Sequence, residues 1–163
     1  MLAVFISENV YAHKGSWDID SFFCVKEYND CEILQPCDFI AKKVKAFPSI
    51  KAFPLIPKLV ENDFPAWEGS DIPEDIRDEI LRLEEENGIE YFNDICEDLH
   101  ADHKIGGYPS YIQGGSSFGN DYEFVFQISS DDKACLNIID GGSFNFFKNP
   151  HYAEDWMLHY DFY

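Results

Sequence analysis

Three stretches decide how this chain is read: His103-Lys-Ile-Gly-Gly-Tyr-Pro-Ser-Tyr-Ile-Gln113, Phe124-Val-Phe-Gln-Ile-Ser-Ser-Asp131 and Gly141-Gly-Ser-Phe-Asn-Phe-Phe147. Paired glycines, a proline, a lone lysine and two glutamines are set between short aromatic runs. Aromatic runs bounded by Gly, Pro and Asp are the pattern of strands joined by tight turns. Strands are therefore predicted at Tyr122–Ser129, Cys135–Ile139 and Ser143–Phe147, with turns at Asp131–Lys133 and Gly141–Gly142. Trp156, Leu158, Tyr160 and Phe162 alternate with other residues, which predicts a closing strand over Asp155–Tyr163.

Upstream of these strands the texture is different. Ser70-Asp-Ile-Pro-Glu-Asp75 reads as a helix start, with Asp71 or Ser70 as cap and Glu74 and Asp75 at the positive dipole end. Ile76, Ile80 and Leu83 recur at helical spacing, and Asn87-Gly88 ends the helix. A second helix is expected over Ile89–Leu99, its stripe formed by Phe92, Ile95, Cys96 and Leu99. Pro48, Pro54, Pro57 and Pro65 make the preceding stretch extended and irregular. Leu2–Ile6 and Ser21–Tyr28 are predicted strands, and Cys31–Lys45 fits either a helix or a strand.

The length of 163 residues suits a single domain, and 45% hydrophobic with 17% aromatic residues excludes general disorder. Net charge is −19, and sixteen acids between Glu61 and His103 stand against Arg77 and Arg82, so that segment alone carries −14. Such a field repels nucleic acid and anionic membranes and favours cations or basic proteins. A solvated helical face explains the same charge without any partner. Five cysteines with no closely spaced pair, no signal peptide and no membrane-length apolar run predict a cytoplasmic protein with reduced thiols.

No stretch spells out a reaction. The Gly106-Gly107-Tyr108-Pro109 bend suits a turn, or a loop bringing backbone N–H groups to an anion or peptide, but it lacks the order of a P-loop or dinucleotide site. His100 and His103 beside Asp98 and Asp102 lack the further ligands a zinc site needs, so no metal and no cofactor are expected. Asp131 is surrounded by turn residues. Gln113 and Gln127 lie in or beside strands, where a buried amide must bond the fold's own backbone or a partner's.

The stretches Lys104–Gln113, Phe126–Asp131, Asp140–Gly142 and Phe144–Phe147 resemble, in order and spacing, the bacterial YwqG-like family. That family is distantly similar to the programmed cell death protein 2 group. The resemblance implies two related β-rich halves, of which residues 103–163 form a complete second one. Residues 1–60 are then a remnant of the first half, and 61–102 an acidic helical segment within the single domain 1–163. It also implies protein binding rather than catalysis, because the eukaryotic group acts as chaperones and some bacterial relatives sit near toxin–immunity genes. The zinc-binding cysteine pairs of the eukaryotic group have no counterpart here.

The fold expected is α+β: a mainly antiparallel twisted sheet or partly open barrel with two acidic helices. The function expected is non-enzymatic recognition of a basic protein, as a toxin-immunity protein or a dedicated chaperone, without nucleic acid or membrane. The alternatives are a small-molecule or peptide-binding enzyme and a truncated remnant without activity. The candidate binding residues are His103, Lys104, Gly106, Gly107, Tyr108, Pro109, Gln113, Gln127 and Asp131. The edge of Leu2–Ile6 is a candidate homodimer contact.

Overall fold

The computed structural model describes residues 2–7, 9–10, 22–28, 50–96, 98–114 and 121–163. In chain order these form β1 (Leu2–Ile6), β2 (Phe23–Glu27), α1 (Glu74–Asn87), a single π-helical turn (Tyr91–Ile95), β3 (Lys104–Ile105), β4 (Glu123–Ser129), β5 (Ser143–Lys148) and β6 (Trp156–Asp161). The architecture is α+β, as the sequence indicates. It has two antiparallel sheets, β1-β2 and β3-β4-β5-β6, and no closed barrel among the described residues. The expected Cys31–Lys45 element lies outside the described residues, as does most of the Gly114–Gly119 connector.

Strand β5 is buried on both faces, and alternation along it sorts its side chains into two layers. On one face, Phe126, Phe146 and Leu158 stand in one cross-strand row and Ile128, Phe144 and Tyr160 in the next. Phe126 stacks on Phe146 with centroids 4.3 Å apart, and Trp156 meets Phe126 edge-on at 5.9 Å. The β1-β2 pair lies over this face, contributing Val4, Ile6, Phe23 and Val25 to the same core. Phe23 reaches Phe146 edge-to-face at 6.2 Å.

A second, smaller core forms under α1 from Ile72, Ile80, Tyr91 and Cys96, with Phe64, Trp67, Ile95 and Leu99 around it. Tyr91 is its centre: the ring packs on Trp67 at 5.1 Å and the hydroxyl donates to Pro65 O at 2.6 Å. Burial pushes the Tyr91 phenol up to about 12. Arg77 lies over Trp67 and donates to Gly69 O at 2.8 Å, which ties α1 to the segment before it.

Three expectations are corrected. The helix start carries no side-chain cap, because Pro73 occupies the cap position and its carbonyl accepts from Arg77 N. The second helix shrinks to the Tyr91–Ile95 turn. There the Asp94 carboxylate accepts from Glu90 N at 2.8 Å, and Cys96 N closes on Tyr91 O, so the widened turn seats Tyr91 in the core. Phe92, expected on the buried stripe, is exposed. Cys135–Ile139 is not a strand: it begins in the turn 132–135, which an isolated bridge between Asp131 and Leu136 closes. Cys135 and Ile139 both have positive φ, which ends any extended run.

Truncating Phe146, which has no exposure and stacks on Phe126, is expected to cost about 3–5 kcal/mol in urea unfolding. Ile105→Ala, at an 87% exposed site, is expected to change stability by less than about 0.5 kcal/mol.

Candidate functional site

The opposite face of the four-stranded sheet is polar and yet buried. Cross-strand register places Lys104, Gln127, Asn145 and His159 in one row over all four strands. Ser129, Ser143 and Asp161 form the next row. A bulge at Val125 sets this phase: it puts Phe124 opposite Phe147 while Gln127 still faces Asn145. The Val125 carbonyl also accepts from Gly106 N at 2.8 Å, so the bulge anchors the Gly106-Gly107 bend.

The segment 98–114 covers this polar face, and side chains of the sheet hold it there. Gln127 is almost wholly buried and bonds through both ends of its amide. Its Oε1 accepts from Ser110 N at 2.9 Å, and its Nε2 donates to Ala101 O at 3.1 Å, Asp102 O at 3.3 Å and Ser129 Oγ at 2.9 Å. Asp161 Oδ2 accepts from Ile112 N at 2.6 Å and Gln113 N at 3.0 Å. Gln113 Nε2 donates to Phe162 O at 2.6 Å. Both glutamines thus bond backbone groups of the fold itself.

Lys104 points from β3 to the Asp63 carboxylate, 3.1 Å from Oδ2, and also reaches Leu99 O at 3.3 Å. Burial lowers the lysine pKa, and Asp63 opposes that shift. Asp63 Oδ2 also accepts from Tyr108 N at 2.8 Å, so one carboxylate serves both the lysine and the glycine bend. Gly107 has φ +72, and a Cβ there would collide with Asp63. Gly106 has φ +74 but open space around it. Pro109 is buried, which fixes the turn between Tyr108 and the covered face.

His103 and Asp131 meet at the far end. His103 Nδ1 accepts from Ser129 N at 3.0 Å, which leaves the ring proton on Nε2, 3.4 Å from Asp131 Oδ2. The Asp131 carboxyl is held below its usual range first by the Ala134 N–H, then by the Lys133 N–H and His103. Asp131 therefore shapes its own turn.

The nine sequence-derived residues are neighbours along one seam, where His103, Lys104, Gln127 and Asp131 and the Gln113 amide nitrogen bond internal partners. A cleft of about 330 Å³ lies elsewhere, against Phe23–Lys26 and residues 154–156. Among the described residues no group of three or more His, Cys, Asp or Glu is placed to share a metal.

Sequence reading missed the residues at the centre of the polar layer. Asn145 has no exposure, and among the described residues neither of its amide atoms has a hydrogen-bond partner; Ser143 Oγ and Asp71 Oδ2 likewise have none there. The Tyr111 ring meets His159 at 5.9 Å, and burial raises the Tyr111 phenol and lowers the His159 imidazole. The signal was present in Gln127/Ser129, Ser143/Asn145 and His159/Asp161, three polar pairs at a spacing of two. Such pairs ordinarily mark a solvent-facing side, and only strand pairing shows that they are enclosed.

The model of one family, described as a domain of unknown function (DUF1963), matches residues 2–154. The chain belongs to the DUF1963 family. Its match spans β1 to β5 and every candidate site residue. No curated protein and no solved structure matches the chain.

Two tests follow from this geometry. Gly106→Ala is expected to cost about 1–2 kcal/mol from positive φ alone. Gly107→Ala is expected to cost about 1–3 kcal/mol more, because it also displaces Asp63 from Lys104 and Tyr108. Chemical unfolding of the two variants reads the difference. The second test concerns Asp71, whose pKa burial raises. A carboxyl with a raised folded-state pKa binds its proton more tightly folded than unfolded. Its charged form therefore destabilises above the folded pKa, and the penalty is relieved as pH falls through that value. Asp71→Asn is expected to raise the unfolding temperature at neutral pH, with the gain shrinking as the medium becomes acidic.

Proposed function

We propose that this DUF1963 protein is a non-enzymatic protein-binding domain that recognises a basic partner. The observation that carries the reading is the surface of α1. Glu74, Asp75, Asp78, Glu79, Glu84, Glu85 and Glu86 are all exposed on it. Its two basic residues offset them only in part. Arg82 is paired with Glu79 and Glu86, and Arg77 is turned onto Trp67 and Gly69 O. Exposed Ile76 and Leu81 add apolar area between the carboxylates. Apolar contact within a charged rim is the composition of a protein interface, and a field of one sign speeds encounter with the opposite sign.

Within the family we take the chain to be a YwqG-like member, on the Lys104–Gln113 and Phe126–Asp131 motifs. The specific forms of the function are an immunity protein for a basic toxin or a chaperone dedicated to one basic protein. No helix among the described residues is long and apolar enough to cross a membrane. A second contact is proposed at β1, which pairs with β2 along one edge and leaves Leu2 and Phe5 exposed. Among the described residues no strand pairs with its other edge, which suits a symmetric pair with a second copy.

Capture from host extract on the immobilised protein is expected to recover basic proteins at low salt and lose them at high salt. Replacing Glu84, Glu85 and Glu86 with lysine is expected to slow association with the recovered partner by about tenfold or more. Recovery of no basic protein at low salt counts against the reading. Light scattering at micromolar concentration checks the β1 contact: a dimer is expected, and a monomer overturns it.

A further inference from the structure

We propose that the free edge of β2 is a strand-addition site, where an extended segment carrying lysine or arginine pairs with the backbone of Phe23–Glu27. The proposal rests on the basic-partner reading and names where and how the partner is held.

The direction of the β2 backbone follows from its register. Ser7 N donates to Phe22 O at 2.7 Å, and the pairing continues through Phe5↔Cys24 and Ala3↔Lys26. In an antiparallel ladder hydrogen-bonded and non-bonded pairs alternate. Cys24 and Lys26 therefore exchange their bonds with β1, while Phe23, Val25 and Glu27 turn N–H and C=O groups the other way. No described strand receives them. A row of such groups is a template for another strand.

The cleft of about 330 Å³ runs along that row. One wall is made by four consecutive residues, Phe23–Lys26, whose side chains alternate between the two sides of the strand. A cleft that touches all four follows the strand's edge rather than one of its faces. The other wall is residues 154–156, where the chain enters β6, itself an edge strand of the larger sheet. At this size, near the lower limit of about 300 Å³ for ligand clefts, the space suits a short extended segment.

Charge selects the occupant. Glu154 and Asp155 stand on the second wall, against Lys26 on the first, so the lining is net negative in a chain of net charge −19. Glu154 is exposed and held at φ +63. Asp155 Oδ1 accepts from Tyr122 OH at 2.9 Å. The carboxylate of Glu27 is closed off by Lys148 and by Trp156 Nε1 at 3.1 Å, which fixes the indole as the floor of the cleft. A lysine or arginine on the incoming segment meets Glu154, while main-chain bonds to β2 supply the common part of the affinity.

The test uses the whole protein and an acetylated, amidated octapeptide of alternating lysine and valine, followed by amide NMR. Saturable shifts are expected at Phe23, Val25, Glu27 and the Trp156 indole. The same peptide N-methylated at two consecutive central residues, which blocks both strand edges, is expected to bind about tenfold more weakly. Glu154→Lys is expected to weaken binding several-fold, and Asp132→Lys, at an exposed turn position outside both α1 and the cleft, to leave it unchanged. Equal binding of the methylated peptide, no saturable shift at millimolar peptide, or concentration-dependent shifts at β2 without peptide overturn the proposal. Shifts confined to α1 overturn the edge site while keeping the basic-partner reading. Equal binding at β2 of a glutamate–valine octapeptide keeps the edge and overturns the basic preference.

Discussion

The buried amide of Gln127 is the constraint on which the site depends. Its oxygen takes the Ser110 N–H and its nitrogen serves the carbonyls of Ala101 and Asp102, so one side chain holds two passes of the covering segment against β4. An amide removed from water must bond at both ends, and here the fold supplies every partner. Asp161 does the same from β6 for Ile112 and Gln113, and Asp63 for Lys104 and Tyr108. The Lys104–Gln113 seam is thereby a laced backbone rather than an open loop. Its polar residues are spent on position.

The two layers of the sheet divide the work. Aromatic packing of Phe126, Phe144, Phe146 and Trp156 against the β1-β2 pair supplies the non-directional stabilisation. The polar layer supplies direction, because its bonds form in only one register. Asn145 and Ser143, both buried, are where this layer is unsatisfied: among the described residues neither amide atom of the one nor the hydroxyl of the other has a hydrogen-bond partner. Helix α1 packs on its own small core around Tyr91, separate from the aromatic core of the main sheet.

Much of this was legible in the sequence, and the failures have physical causes. The aromatic runs of β4, β5 and β6 and the glycine bend announced themselves through composition and turn chemistry. The π turn did not, because Phe92, Ile95, Cys96 and Leu99 have helical spacing, and only the demand of Tyr91 for Pro65 O and Trp67 widens the backbone there. Cys135–Ile139 looked like a strand by content, but the Asp132 carbonyl takes the Cys135 N–H and the Ser130 hydroxyl takes the Ile138 N–H instead. Asn145 and Asp161 were overlooked because a polar residue on a strand normally faces water. Burial on both faces is a property of the partners, Ser110 to Gln113, which lie far off in the chain.

The Val125 bulge absorbs one residue without moving any other side chain to the wrong face. Phe124 stays with Phe147 and Gln127 with Asn145, whether or not the extra residue lies between them. Strand β4 is therefore a place where chain length is free to vary by one residue. A chain one residue shorter at this point would keep both pairings, and a comparison of sequences that forbids gaps inside strands would misplace everything on one side of it.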